Sequence, residues 1–450
     1  MKAQPSESTI FALASAPGRA GVAVVRVSGP GAGRVVDFMA GPRPAPRRAV
    51  GRFIRHPETG EKLDRGVVLW FPSPASFTGE DVAELHLHGG RAVVNAVLAA
   101  LGVLPGLRLA EPGEFARRAF EAGRLDLAEV EGLADLIDAE TDGQRRQALA
   151  QASGALSDLY ESWRASLIEA MGLIEAGLDF ADEGDIGAKT FADATSIITV
   201  IAQAVIRHLD DGHRGEILRE GFRVALTGPP NAGKSRLLTA LARRDVAIVS
   251  EEAGTTRDVI EVRLDLAGLP VIVSDTAGFR ETEGAIEREG MRRSQAAAEA
   301  ADLALWLTEA GAPQTVLPAE LAAVADRTLL VLNKIDLLSN GDGAPALPDD
   351  MVPLSVKTGA GLEDLIKRLT VIAHERIGHQ GEPVMTQVRH RRLVEACRES
   401  LEAFLAGSSH EVELRAEDLR RAADALGRIT GRVDVEDVLD HIFGRFCIGK

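Results

Sequence analysis

The residues whose types and spacing most directly suggest chemistry fall between 228 and 357. Gly228-Pro-Pro-Asn-Ala-Gly-Lys-Ser235 has the form Gly-x-x-x-x-Gly-Lys-Ser and follows an apolar run expected to be a strand. Glycines so spaced let successive backbone N–H groups curl around phosphate oxygens, and a helix beginning there points its positive end at them. Lys234 is placed to neutralise β and γ phosphates, and the Ser235 hydroxyl to hold Mg²⁺; Asn231, Ala232, Gly233 and Arg236 complete the loop. Asp275-Thr276-Ala277-Gly278 closes a second apolar run, with Asp275 suited to the Mg²⁺ shell and the Gly278 N–H to a γ-phosphate. Asn333-Lys334-Ile-Asp336 closes a third. The Asp336 carboxylate can accept two hydrogen bonds from guanine N1 and N2, which adenine does not offer, and a site built on such an acceptor discriminates by up to about 10⁴–10⁵. Ser355-Val356-Lys357 then stands where a backbone N–H could meet guanine O6. Each short motif alone is weak. Four in this order read as a GTP-hydrolysing domain.

Between the phosphate loop and Asp275, Gly254-Thr-Thr-Arg-Asp258 occupies the place of a switch segment, with Thr256 as a second Mg²⁺ ligand released when the γ-phosphate is gone. Many GTPases carry a water-orienting Gln after the Asp-Thr-Ala-Gly motif. Here the residue is Phe279, which cannot orient water. Water positioning and charge stabilisation must then come from a downstream side chain, a partner or a cation. The segment Arg280-Glu-Thr-Glu-Gly-Ala-Ile-Glu287 offers three carboxylates, and spacing alone does not choose among them.

A chain of 450 residues is long enough for roughly three domains, and 45% hydrophobic with 26% charged residues is ordinary globular composition. The net charge of −16 excludes a bulk nucleic-acid coat, but it is uneven. Residues 1–120 hold 15 basic and 10 acidic side chains, leaving 36 against 57 in the rest, so an anionic partner is more welcome at the N-terminal end. Strand-like runs at Gly21–Val27, Val67–Phe71 and Ala83–His88, followed by a helix from Arg91 to Leu104, make this end α+β. From Leu125 an apolar helical face takes over and persists to about Phe180, with helix again over 196–210. The same grammar returns near Leu369, notably at Leu393–Leu405 and Glu417–Ile429. Between them, strand runs at Phe222–Thr227, Val271–Ser274, Leu303–Leu307 and Thr328–Leu332 alternate with helices, the pattern of a parallel sheet. The expected organisation is an α/β and α+β multidomain chain: an N-terminal module over 1–120, a helical domain over 121–215 and 371–450, and an inserted Ras-like P-loop GTPase domain over 216–370.

Two cysteines, Cys397 and Cys447, exclude a disulfide framework and fit a reducing cytosol. Ile10–Ala16 is too short and too poor in preceding positive charge for a signal peptide, and no run reaches the roughly 18 apolar residues of a bilayer span. A soluble cytoplasmic protein that does not enter a membrane is expected.

Taken together, the nucleotide motifs, Ser76-Phe-Thr-Gly-Glu-Asp81, Glu111-Pro-Gly-Glu-Phe115, Arg124-Leu-Asp-Leu127 and the terminal Phe446-Cys-Ile-Gly-Lys450 resemble the MnmE (TrmE) family of tRNA modification GTPases over essentially the whole chain. The resemblance implies action on the wobble uridine of certain tRNAs, with an FAD-containing flavoprotein of the MnmG (GidA) family in a heterotetramer. An aminomethyl or carboxymethylaminomethyl group would be added at carbon 5, with the one-carbon unit coming from a 5-formyl or 5,10-methylene tetrahydrofolate. It assigns folate binding to Arg26, Glu84, Arg124 and Lys450. Where the family position can be Lys, Arg124 keeps the charge but changes its geometry. It further implies a homodimer through the N-terminal modules, and K⁺-activated pairing of G domains. Asn231 would be the side-chain K⁺ ligand, with oxygens from Ser250, Glu252 and Thr255, and Glu287 would orient the water, in a catalytic set with Lys234 and Gly278. Val356 stands where Ala is usual and Glu252 where an apolar residue is expected; both substitutions are tolerable if the backbone does the binding. Cys447, a tail thiol, reads as packing rather than as a nucleophile.

The alternative is a regulatory ribosome-assembly GTPase that modifies nothing itself. It would be expected to append an RNA-binding module, and Gly378–Gly381 is followed too closely by Pro383 for an RNA clamp. A folate-binding protein with a vestigial GTPase is disfavoured by the intact Lys234, Ser235 and Asp275.

Overall fold

The computed structural model describes residues 8–179, 184–211, 213–248, 260–275, 295–311, 313, 317–338, 351–378, 383–407, 412–433, 436–444, 446 and 448–449. The chain divides into two compact units, each discontinuous in sequence. One comprises Met1–Ala134, Ala152–Glu161 and Leu426–Lys450; the other comprises Asp135–Gln151 and Ser162–Ala425.

In the first unit, β1 (Thr9–Leu13), β2 (Ala20–Ser28), β3 (Val50–Arg55), β4 (Lys62–Phe71), β5 (Val82–Gly89) and β6 (Leu107–Leu109) form a six-stranded sheet in the order β3-β4-β5-β2-β1-β6. All its pairings are antiparallel except β1 with β6. Strand side chains alternate between faces, and here one face is consistently apolar. Val25, Val27, Ile54, Val68, Ala83, Leu85 and Leu87 are buried and pack in one cluster with Val35, Val36 and Met39 of α1 (Ala32–Ala40) and Val97 and Leu101 of α2 (Arg91–Gly102). The apolar run at Ile10 proves to be β1, an interior strand of this sheet. Helices α3 (Glu114–Glu121) and α4 (Leu127–Asp138) follow; Ala116, Leu127 and Val130 share a second cluster with Ile442, Phe443 and Phe446 near the C-terminus.

Helix α5 (Asp142–Ala152) is followed by α6 (Ala155–Asp179), of which the part from Ser162 belongs to the second unit; there, after α7 (Gly184–Leu209) and α8 (Arg214–Glu220), the other sheet is built from β7 (Phe222–Thr227), β8 (Ile260–Leu266), β9 (Leu269–Asp275), β10 (Leu303–Glu309), β11 (Thr328–Asn333) and β12 (Val352–Pro353). Its order is β12-β11-β10-β7-β9-β8, parallel throughout except for β8. Helix α9 (Lys234–Ala242) follows β7, and α10 (Leu362–Ile377) packs Leu365, Leu369 and Ala373 into the core formed with Val224, Leu226, Val271 and Val331. β8 joins β9 through Ala267 and Gly268, both at positive φ (55° and 87°), the two-residue turn whose twist suits a hairpin. β7 begins and ends where its sequence predicts.

Helix α7 packs against α11 (Val388–Ala406). Its buried Ala194, Ile198, Ile201, Ala202 and Val205 recur at helical spacing, giving one apolar face. The Lys189–Glu220 stretch is, by length and composition alone, long and apolar enough to cross a membrane. The buried stripe gives part of this apolarity a partner within the unit, while Val200 and Ile206 stay exposed. Phe191 stacks on Phe404 with ring centroids 6.1 Å apart, and the Arg415 guanidinium lies 4.4 and 4.3 Å from their centroids. The roots of the α/β insertion are clasped by Arg391, which donates to Asp211 at 2.7 Å, to Glu216 at 2.9 Å and to the Leu209 carbonyl at 3.1 Å. On α11, burial pushes the Cys397 thiol up to about 12, so it stays protonated and inert.

His208, edge-on to Trp163 with centroids 5.4 Å apart, has its pKa drawn down to about 4. Burial is the largest cause; Asp211 opposes it, while the positive Arg391 and His390 reinforce it. The unfolded chain takes up this proton below about 6.5 and the folded chain only near 4. His208 therefore makes stability fall as pH drops through that interval, by at most about 3 kcal/mol. Chemical denaturation of His208→Gln at several pH values should give a flatter decline between pH 7 and 4 than the parent protein shows.

Candidate functional site

The nucleotide motifs converge at the carboxyl ends of β7, β9, β10 and β11, where ligands bind in open α/β sheets. Gly228 takes φ 135°, and a Cβ there would lie 2.2 Å from the Leu307 carbonyl oxygen; Gly233, at φ 101°, caps α9, and a Cβ there would lie 2.3 Å from Asn333 Nδ2. Both positions require glycine because backbone and side chain crowd them. Asn231 is left-handed at φ 63°, a conformation that asparagine tolerates better than most residues. The loop thereby delivers the first N–H groups of α9 to one spot. Lys234 Nζ donates to the carbonyls of Gly228 at 2.9 Å and Pro229 at 3.1 Å, and Ser235 Oγ donates to Asp275 Oδ2 at 2.6 Å. The last contact joins two hard oxygen donors, one from the helix start and one from the end of β9, and Asp275 is buried. Such a donor set fits Mg²⁺. Arg236, two residues into α9, is exposed.

The residues expected from sequence to recognise the base form a second knot. Asn333, buried at the end of β11, donates through Nδ2 to the Ala232 carbonyl at 2.7 Å, while its Oδ1 accepts the N–H of Lys334 at 2.8 Å and of Val356 at 3.2 Å. Ser355 Oγ donates to Asp336 Oδ1 at 2.6 Å, and Lys357 Nζ lies 3.8 Å from Asp336 Oδ2. Lys334 is left-handed at φ 63° and pairs with Glu309 at the end of β10. Sequence motifs missed Glu309, which stands outside any recognised pattern. Ser250, Glu252, Thr255 and Thr256 of the switch loop, and Thr276, Ala277, Gly278, Phe279 and Glu287 beyond Asp275, lie outside the described residues.

In the first unit, Arg26 on β2 and Glu84 on β5 are directly paired in the sheet. Arg26 donates through Nε at 3.1 Å and Nη2 at 3.0 Å to Glu84 Oε1; His86 Nε2 is 3.1 Å from Oε2. The guanidinium lies 5.2 Å from the Phe77 ring and 5.8 Å from Phe115. A guanidinium and a carboxylate beside the half-buried Phe77 ring fit the polar edges and ring of a pterin, while Phe115 is fully buried and serves as backing. His86, Phe77 and Phe115 were not singled out from sequence; His86 stands two residues after Glu84 on β5 and so shares its face, a signal the alternation already offered. Arg124 is exposed, and its Cγ lies 3.4 Å from where a Cβ on Gly79 would stand. Lys450 and Cys447 lie outside the described residues. Ile448 bridges to Pro112, and Gly449, at φ 105°, passes so close to β1 that a Cβ would lie 2.1 Å from the Leu13 carbonyl oxygen.

The motif residues around this pair build a buried frame. Ser28 Oγ is 2.7 Å from Thr78 Oγ1 and donates to Glu80 at 2.7 Å; Arg118 donates to Glu80 at 3.0 Å and to Glu114 at 2.9 Å. Burial would raise the Glu114 pKa, but donation from Arg108, the Glu111 N–H and Arg118 outweighs it and lowers the pKa. Glu114 thus stays ionised and holds the frame together.

The Asp336–Ser355 geometry yields a direct expectation. Replacing Asp336 with Asn substitutes a weaker acceptor that also presents an N–H₂ toward guanine donors. Asp336→Asn should weaken binding of a fluorescent GDP analogue by about a hundredfold or more in equilibrium titration.

Two family descriptions match the chain: "GTP-binding protein TrmE N-terminus" over residues 9–124, and "MnmE helical domain" over residues 127–447. A protein of Parvibaculum lavamentivorans named tRNA modification GTPase MnmE is 55% identical, covering 98% of this chain and all of its own length. One of the same name from Maricaulis maris is 51% identical, again over 98% of this chain and all of its own. Among solved structures, Era of Aquifex aeolicus shares 18% identity over 47% of this chain and 99% of its own, at a TM-score of 0.28, too slight a likeness to carry an argument. At more than half identity from end to end, the chain belongs to the MnmE family of tRNA modification GTPases.

Proposed function

We propose that this chain hydrolyses GTP in the service of tRNA modification, acting on the wobble uridine with a flavoprotein partner and a tetrahydrofolate-derived one-carbon unit. The observation that most supports this reading is the placement of Lys234, Ser235 and Asp275 at one end of the sheet, beside Asn333, Asp336 and Ser355. Phosphate chemistry and base choice would then sit a loop apart.

In this reading the N–H groups of Asn231, Ala232, Gly233, Lys234, Ser235 and Arg236 wrap the phosphates, and Lys234 Nζ exchanges its loop carbonyls for β and γ oxygens. Ser235 and Asp275, joined by Thr256, would hold Mg²⁺, which neutralises charge on the phosphate oxygens when bound. Gly278 donates its N–H to the γ-phosphate. Glu287 orients the attacking water, the role Phe279 leaves open. Asn231, with oxygens from Ser250, Glu252 and Thr255, would hold K⁺ as two copies pair their nucleotide faces. Asp336 accepts from guanine N1 and N2, a backbone N–H of the Ser355-Val356-Lys357 stretch turns from its present partner to O6, and Lys334 and Lys357 flank the base. In the N-terminal module, Arg26, Glu84, Arg124 and Lys450 would orient the folate, which supplies the carbon. A carboxylate suits pterin N–H groups, and the cations suit the glutamyl tail.

Two measurements test this reading. Deleting the gene in its host should remove carbon-5 aminomethyl-type uridines from total tRNA, as read by nucleoside mass spectrometry. Wild type should restore them and Asp275→Ala should not; unchanged uridines would end the modification reading and turn attention to ribosome profiles. Separately, GTP turnover should be at least roughly tenfold faster in K⁺ than in Na⁺ buffer, a cation here standing in for a charge worth about 10³–10⁵ in other GTPases. Asn231→Ala should abolish that difference.

A further inference from the structure

The positive charge of the N-terminal module is not spread evenly. Between Arg43 and Arg65 the chain carries seven Lys or Arg side chains against three carboxylates. This stretch contains the β3–β4 hairpin, and β3 is an edge strand of its sheet. The register pairs Phe53 with Arg65 and Arg55 with Lys62. Phe53 and Arg55 flank Ile54, which is buried beneath the helices, so both project from the opposite face. Phe53 is 43% exposed, an aromatic ring left at the surface. Three cations gather around it: Lys62 Nζ at 4.6 Å from the ring centroid, Arg65 at 5.6 Å and Arg55 at 5.8 Å. All three are exposed. Asp64, a nearby carboxylate, is turned toward β5, where it accepts from the His88 backbone N–H at 2.8 Å and meets the His88 ring at 2.8 Å.

From this arrangement we infer that the β3–β4 hairpin is a docking surface for tRNA, with Arg55, Lys62 and Arg65 taking phosphates and Phe53 taking an unstacked base. The inference rests on the tRNA-modification reading above and adds where the RNA touches this chain. Cations interleaved with an exposed aromatic ring are the chemistry of single-stranded and loop RNA recognition: phosphates supply affinity and any base offers a face to stack. A single lysine is enough to keep an edge strand from pairing with a neighbour, and Arg52, Arg55, Lys62 and Arg65 on β3 and β4 exceed that need. A second copy is a poor occupant. A two-fold interface sets a patch against itself, which would bring these cations against their own images. Residues 121–450 hold 36 basic against 57 acidic side chains, which repels a polyanion and steers it to this edge.

The test is equilibrium binding of an unmodified tRNA transcript to the full-length protein, followed by fluorescence anisotropy over a range of KCl. A combined Arg55→Ala, Lys62→Ala, Arg65→Ala variant should bind at least tenfold more weakly near 0.1 M salt. The slope of log affinity against log salt should be shallower by about two, since each lost phosphate contact in single-stranded RNA removes about 0.7. Phe53→Ala should weaken binding by about fivefold or more and leave the slope unchanged. GTP turnover by both variants within twofold of wild type shows that the fold is intact. Wild-type affinity and slope in the variants would overturn the inference, as would failure of the wild-type chain to bind the transcript. So would a variant whose tRNA binding persists while light scattering shows loss of self-association; the patch would then join copies of the chain. Should the gene deletion leave uridines unchanged while hairpin-dependent binding remains, the modification reading fails and the RNA surface stands. Modification without hairpin-dependent binding gives the reverse.

Discussion

The nucleotide site depends on a single carboxamide. Asn333 is buried at a strand end and spends both of its polar atoms inside the protein: one on the phosphate loop at Ala232, the other on the N–H groups of Lys334 and Val356. Three loops that are 101 and 23 residues apart from Asn333 or adjacent to it are thereby fixed at one point. Losing either bond would leave a buried polar group unsatisfied, at a cost of about 1–3 kcal/mol. The crowding at Gly233 follows from the same bond. The loop approaches so closely that its neighbour's Nδ2 occupies the space any Cβ would need. Asp336 does not act alone either, because Ser355 donates to it from the next loop, leaving its other oxygen toward Lys357. The phosphate-loop motif and the two motifs after β11 share this frame, so neither can shift without the other.

The parts of this site legible in the sequence were those whose residues are close together in the chain. The phosphate loop spans eight residues, and each of the other motifs spans three or four; strand ends place them without further instruction. Phe222–Thr227 could be read to the residue because a β-branched and apolar run is bounded by glycines. Ile260–Leu266 carries clean alternation, yet it adjoins the switch segment, and alternation does not say which way a strand runs. Its antiparallel return depends on the turn at Ala267 and Gly268, where alanine takes a conformation more usual for glycine. Ile10–Ala16 is apolar and ends in Ala-Ser-Ala, faintly like a cleavage site; Ile10–Leu13 lies in β1, whose neighbours on both sides, β2 and β6, account for its apolarity.

Contacts between distant residues were harder to read. Arg26 and Glu84 are 58 residues apart, and composition offers no reason to pair them; only the resemblance named them, and only the register sets them face to face. The Arg391 clasp joins residues about 180 positions apart, on either side of the whole α/β insertion. No local pattern encodes such a contact. The sequence offers only an arginine and two carboxylates among many, and the choice is made by burial, since an unpaired charge there would be strongly destabilising.

The motifs that carry the resemblance divide their labour in a way that counting identities would hide. In Ser76-Phe-Thr-Gly-Glu-Asp81, Thr78 and Glu80 are tied into the frame with Ser28 and Arg118, and Asp81 accepts the Ser73 N–H at 2.9 Å. In Glu111-Pro-Gly-Glu-Phe115, Glu114 is locked between Arg108 and Arg118, while Gly113 makes room for the Phe443 carbonyl, 2.4 Å from where a Cβ would be. Gly449 does the same beside Leu13. These residues hold backbone segments against one another and leave little polar capacity for a ligand. Arg26 and Glu84 differ: they stand together on a sheet face, partly exposed, with aromatic rings beside them. The motif residues tied into the frame set the shape. The partly exposed charged pair retains groups that can still exchange partners, and that is what binding a small polar molecule requires.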